Sequence, residues 1–208
     1  MASGIAHLAI INELIKLRSF ASADRLKLGA VLADFGNRRD THLQTRVQNG
    51  EKRTYDLNRF RAEFGEKLLE DDLYLGYYLH LIQDIVYRRL IYGKYAWDTT
   101  IEGNIERLHR DYRILNGVII EKYGLKNDIA VPEGFKSEGI NRLGAFDTDL
   151  LLESMAGFFA LSEEGEIFFF TEEMADEFIL EATKTCLIEL DALDSGGALM
   201  DMFECAWR

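Results

Sequence analysis

His80 and Asp84 stand four residues apart in Gly76-Tyr77-Tyr78-Leu79-His80-Leu81-Ile82-Gln83-Asp84. On an α-helix, positions i and i+4 sit one above the other, so this imidazole and carboxylate point the same way. The run around them is apolar and aromatic, and it reads as a buried helix. Burying such a pair is unfavourable unless hydrogen bonds or a cation satisfy it. The chain has only four histidines, and the others repay attention for that reason. His7 shares a helical stripe with Ile10, Ile11 and Leu14. His42 follows Asp40 and Thr41 in a polar stretch. Asp34 closes Gly29-Ala30-Val31-Leu32-Ala33-Asp34, at the end of a helix, where a carboxylate opposes the macrodipole and calls for compensation. Taken singly, each has an ordinary reading: a satisfied core histidine, an exposed loop histidine, a buried His–Asp hydrogen bond, an aspartate beside a turn. Taken as a set of five, they supply imidazole nitrogen and carboxylate oxygen, the donors that suit zinc and other borderline divalent cations. A carboxylate among them can bridge two ions.

The order of these residues is recognisable. His7, then Asp34 after Gly29-Ala30, then Thr41-His42-Leu43, then the run from Gly76 to Asp84 together resemble the zinc-dependent phospholipase C family. That family's all-helical fold is shared with the S1/P1 nucleases. The resemblance implies one zinc held by His42, His80 and Asp84, with Asp84 bridging to a second held by His7 and Asp34. It further implies that Asp34 serves as general base for the attacking water. Bound metal lowers that water's pKa toward neutrality and offsets charge on a phosphoryl oxygen. The next residues, Ile85-Val86-Tyr87-Arg88-Arg89-Leu90, contain no histidine, so the family's third ion is not matched. The expected cofactor is therefore one or two ions of zinc, or another divalent transition metal.

His109 and Asp111, in Arg107-Leu108-His109-Arg110-Asp111-Tyr112, are candidate extra ligands; the alternative is an exposed pair among arginines. Tyr77, Tyr87 and Arg88 share the helix face of His80 and Asp84 and are candidate substrate contacts. The fork of Arg88 matches phosphate oxygens, whereas packing is the commoner role for buried tyrosines.

The elements that must position these groups are helical, since apolar residues recur at three and four through most of the chain. Helices are expected over Ile5–Arg18, Ser22–Phe35, Asp56–Leu69, Asp71–Tyr95, Asp98–Tyr123, Asp147–Leu161 and Thr171–Leu193, with a short one at the C-terminus. Asp56, Asp71 or Asp72, Asp98 or Thr99, and Thr171 are the expected caps. Residues 38–53 read as a polar loop. Residues 124–145 read as a long connector, either mobile or covering a site. Glu166–Phe170 reads as a strand or a tight turn. The expected class is all-α, a single-domain multi-helix bundle over residues 1–208 of the phospholipase C / P1 nuclease type.

Composition narrows the function. A formal net charge of −12 argues against binding nucleic-acid polymers, which needs basic surface. Cys186 and Cys205 form no disulfide framework or zinc knuckle. No run is long enough to span a bilayer, and the N-terminus lacks a signal pattern, so a cytoplasmic location is expected. Phosphate-loop and nucleophile-elbow signatures are absent. The expectation is a metal-dependent hydrolase of small phosphate esters, a phosphodiesterase in particular. The alternative is a non-catalytic helical binding or structural protein with a residual metal site. Whether the helices pair into a homodimer is left open.

Overall fold

The computed structural model describes residues 2–160 and 163–207. Among them are eight α-helices and one two-stranded sheet. The helices are α1 (Gly4–Leu17), α2 (Ala23–Leu32), α3 (Arg38–Thr41), α4 (Leu57–Glu70), α5 (Asp72–Tyr87), α6 (Asn104–Tyr123), α7 (Thr148–Ala160) and α8 (Glu172–Asp194). The strands β1 (Gln44–Val47) and β2 (Lys52–Tyr55) form an antiparallel hairpin between α3 and α4. The fold is all-α, as the periodicity predicts.

Helix starts follow from side-chain capping. Ser3, Ser22, Asp56, Asp71 and Thr171 each accept a hydrogen bond from a backbone N–H of the first turn they precede, satisfying donors that the helix itself leaves open. Helix α5 is buried along nearly its whole length, as expected for a helix that is apolar all round. It runs through the core with α2, α4 and α8 packed about it, and α1 lies against α2, α6 and α8.

The approach of α2 to α5 depends on two glycines. A Cβ on Gly29 would run into the Leu73 carbonyl oxygen, and one on Gly76 into the Leu26 carbonyl oxygen. With hydrogen in both places, backbone meets backbone. That contact brings the Ala30 carbonyl within reach of His80.

Several boundaries differ from expectation. Residues 38–53 are not a loop: they fold into α3, β1, a turn at Gln48–Gly50 and β2. Asn49-Gly50 supplies left-handed turn residues, a hairpin signal in the sequence. Helix α6 starts at Asn104, not Asp98. The Asp98 carboxylate instead accepts from the N–H and hydroxyl of Thr100, and Gly103, at φ +79°, breaks the chain direction. The helix through His80 changes to a π-turn over Arg88–Lys94. Among the described residues no C-terminal helix forms; a turn carries the chain back so that Trp207 pairs with Arg53 of β2. Residues 166–170 form no strand; the chain bends at Phe168 and Phe169, and the amides of Phe168, Phe169 and Phe170 turn inward. Leu161, the expected end of α7, lies outside the described residues.

The connector 124–145 is docked. Phe135, Ile140 and Leu143 are buried in the core, and Glu138 pairs with Arg25, which also forks onto Asp71. No helix among the described residues is long and apolar enough to cross a membrane.

Candidate metal centre

Four segments converge on one point inside the bundle. Helix α1 contributes His7, the 3-10 turn after α2 contributes Asp34, the residue after α3 is His42, and α5 carries His80 and Asp84. All three imidazoles are fully buried. Asp34 keeps 15% of its side chain exposed, against 1% for Asp84.

The hydrogen bonds fix how each ring faces. His80 Nδ1 lies 2.8 Å from the Ala30 carbonyl oxygen, which can only accept. His7 Nδ1 lies 2.7 Å from Gln83 Oε1. His42 Nδ1 is 3.2 Å from the Thr41 hydroxyl, whose single proton goes to the Ala33 carbonyl at 2.8 Å. Each Nδ1 is therefore engaged as a donor toward an outer partner, which turns each Nε2 inward. Outer partners fixing the tautomer of metal-binding histidines in this way are a general feature of metal sites.

The inward atoms are close without being bonded to one another. His80 Nε2 and His42 Nε2 stand 3.1 Å apart. His42 Nε2 is 3.4 Å from Asp34 Oδ1 and 3.6 Å from Asp84 Oδ2. His80 Nε2 is 3.9 Å from Asp34 Oδ1, and His7 Nε2 is 3.7 Å from Asp84 Oδ1. Among the described residues, His7 Nε2 and Asp34 Oδ1 have no hydrogen-bond partner. Ligand atoms each about 2.0–2.2 Å from a shared ion stand roughly 3–4 Å apart, the spacing seen here. Two facing lone pairs repel unless a proton or a cation lies between them. Burial, helped by neighbouring His7, pushes His80 down to about 3, which disfavours the proton.

Burial also acts to raise both carboxyls, but the positive field of the surrounding groups outweighs it and holds Asp34 and Asp84 below the usual carboxylate range. The centre thus sets three imidazole nitrogens against two carboxylates. Two triads could hold an ion: His7, His80 and Asp84, or Asp34, His42 and His80. An imidazole Nε2 has one lone pair, so His80 serves one ion at a time. Asp84, with Oδ1 toward His7 and Oδ2 toward His42, is the group with two ends.

Other sequence candidates go elsewhere. Asp111 is buried, but its carboxylate accepts the backbone amides of Phe168, Phe169 and Phe170 at 2.8–2.9 Å. It organises the turn into α8 and is not free to ligate. His109 is exposed on α6, at the border of two hollows. Tyr77 and Tyr87 are fully buried: the first donates to the Thr41 carbonyl, buttressing the turn before His42, and the second is bonded to Tyr112. With these partners both phenols, candidate substrate contacts in the sequence, take the packing role that is commoner for buried tyrosines. Arg88 reaches the surface and donates to the Tyr55 hydroxyl at 3.0 Å.

Sequence reasoning missed two residues beside the centre. The Tyr55 hydroxyl donates to Asp84 Oδ2 at 3.2 Å, a contact created only when the hairpin folds back. Asn116 lines a hollow of about 330 Å³ together with Asp34, Phe35 and Phe158, and its buried Oδ1 has no partner among the described residues. No protein-family model matches the chain, and neither the curated proteins nor the solved structures contain a significant match.

Proposed function

We propose that the chain is a metal-dependent phosphoester hydrolase, of the kind its resemblance to the zinc-dependent phospholipases C implies. The observation that carries the metal is the set of three inward Nε2 atoms facing two carboxylates, which form two possible ligand triads. Zinc is the best match to these donors. When bound, a divalent ion supplies a water of lowered pKa and a counter-charge for a phosphoryl oxygen.

The chain's own groups divide the remaining work. His7, His80 and Asp84, or Asp34, His42 and His80, would hold the metal. Asp34 is the ligand that reaches the hollow, and its ionised carboxylate is poised to orient an attacking water or take its proton. Asn116 offers a hydrogen-bonding group across the hollow, while Phe35 and Phe158 line it with apolar surface that excludes water.

A second reading, a metal centre that only supports the fold, is favoured by the complete burial of the three imidazoles, since structural sites are closed. Elemental analysis of protein purified without chelator tests the centre. Stoichiometric zinc or another transition metal is expected in wild type, with loss in His80→Ala. Absence of metal from both would end the reading. Turnover of an activated aryl phosphodiester by the metal-loaded protein separates hydrolase from structural centre; a loaded, folded and inactive protein supports the second reading.

A further inference from the structure

The chain carries 24 basic and 36 acidic residues, so carboxylate partners are plentiful. Most arginines that fold against another element have found one: Arg18, Arg25, Arg110, Arg113 and Arg142 all sit in ion pairs. One cleft is an exception. Arg38, Arg53, Arg88 and Arg89 line a hollow of about 730 Å³ whose single acidic lining residue is Glu204. Among the described residues, none of these four forms an ion pair.

The four come from different elements. Arg38 opens α3, Arg53 lies on β2, and Arg88 and Arg89 begin the π-turn after α5. Arg53 is held in place by two backbone hydrogen bonds with Trp207, at 2.7 and 2.9 Å. The Arg88 guanidinium lies over the Trp207 ring at 4.1 Å and near those of Tyr92 and Tyr55 at 5.5 and 5.7 Å. Aromatic faces orient a guanidinium but do not neutralise it. Gathering unpaired like charges beside a low-dielectric core is unfavourable by itself, and a dianion in the cleft would relieve it. The planar forks of arginine match phosphate oxygens two at a time. The volume is that of a small-molecule site.

We infer that this cleft binds a phosphoryl group carried by a small molecule or a lipid headgroup. It adjoins the metal centre through a continuous chain: Arg88 Nε donates to the Tyr55 hydroxyl at 3.0 Å, which donates to Asp84 Oδ2 at 3.2 Å. Recognition in the cleft uses none of the five centre residues, so the inference stands or falls apart from the hydrolase reading. A polyanionic nucleic acid is disfavoured by the net charge of −12.

The test is titration of the full-length, chelator-treated chain with inorganic pyrophosphate by calorimetry at low ionic strength. Saturable binding is expected. Arg53→Gln and Arg89→Gln, both at exposed positions, should each weaken it by about tenfold or more, the size of a lost charge-assisted hydrogen bond. Lys136→Gln, an exposed cation outside the cleft, should leave it unchanged. Thermal melting checks that the variants fold. Absence of saturable binding, no effect of the arginine changes, or an equal effect of Lys136→Gln would overturn the inference. Sedimentation with phosphatidylcholine vesicles, with and without a phosphoinositide bisphosphate, identifies the source. Arginine-dependent sedimentation assigns the phosphoryl group to a lipid. Pyrophosphate binding alone assigns it to a soluble molecule.

Discussion

His80 is the most constrained residue of the centre, tied at Nδ1 to the Ala30 carbonyl and facing His42 at Nε2. Its proton affinity is pushed down to about 3 by burial, whereas an unfolded histidine titrates near 6.5. The unfolded chain therefore takes up this proton first as pH falls. The contribution is fully present above about pH 6.5 and declines below it, by up to roughly 1.4 kcal/mol per pH unit, until about pH 3. Urea denaturation of metal-free protein at pH 7 and pH 5 should show that loss, and His80→Gln should show a shallower one. An identical slope in the variant would mean that His80 is not the titrating group. The five candidate ligands were legible in sequence because each stands out against its own local context, a polar group in an apolar stripe or at a helix end. Tyr55 was not, because nothing in Arg53-Thr54-Tyr55 indicates that the phenol turns toward Asp84.

At the scale of elements, the contact between α2 and α5 decides whether the ligands meet. Gly29 and Gly76 were visible in the sequence as parts of motifs, but their use as flat contact surfaces becomes apparent only when two helices are laid together. Gly76→Ala sets a methyl group against the Leu26 backbone, and backbone cannot rotate aside as a side chain can. Overpacking of this kind destabilises by about 1–3 kcal/mol, or more where the main chain must shift. Thermal melting should show the loss. Metal content should fall as well, because separating the helices draws Ala30 away from His80. Gly65→Ala on α4, where a Cβ meets nothing within 4 Å, is the matched control and should be neutral or slightly stabilising. Equal effects of the two changes would show that close approach is not what matters. The hairpin and the C-terminal turn were harder to read for a related reason. Thr54 donates to the Met202 carbonyl and Trp207 pairs with Arg53, so the C-terminal segment takes its shape from β2 and not from its own periodicity.

At the scale of the molecule, the centre joins α1, the α2 turn, the α3 turn and α5, which are widely separated along the chain. An ion bound there stabilises only the folded state, because unfolding scatters its ligands. At a free-ion concentration of 100 times Kd the gain is about 2.7 kcal/mol. For a chain of this size each kcal/mol moves Tm by roughly 2–4 °C, so chelation should lower Tm by about 5–11 °C. The loss should depend on free zinc concentration and be absent in a folded His80→Ala protein, which separates ion removal from any direct effect of the chelator. Hydrogen exchange locates it further. Amides of α1 and the α2–α3 turns should lose protection first, while the Arg25–Asp71–Glu138 junction, which contains none of the candidate ligands, should change least. A Tm indifferent to both chelator and added zinc would leave the five inward-facing groups without the cation that their geometry calls for.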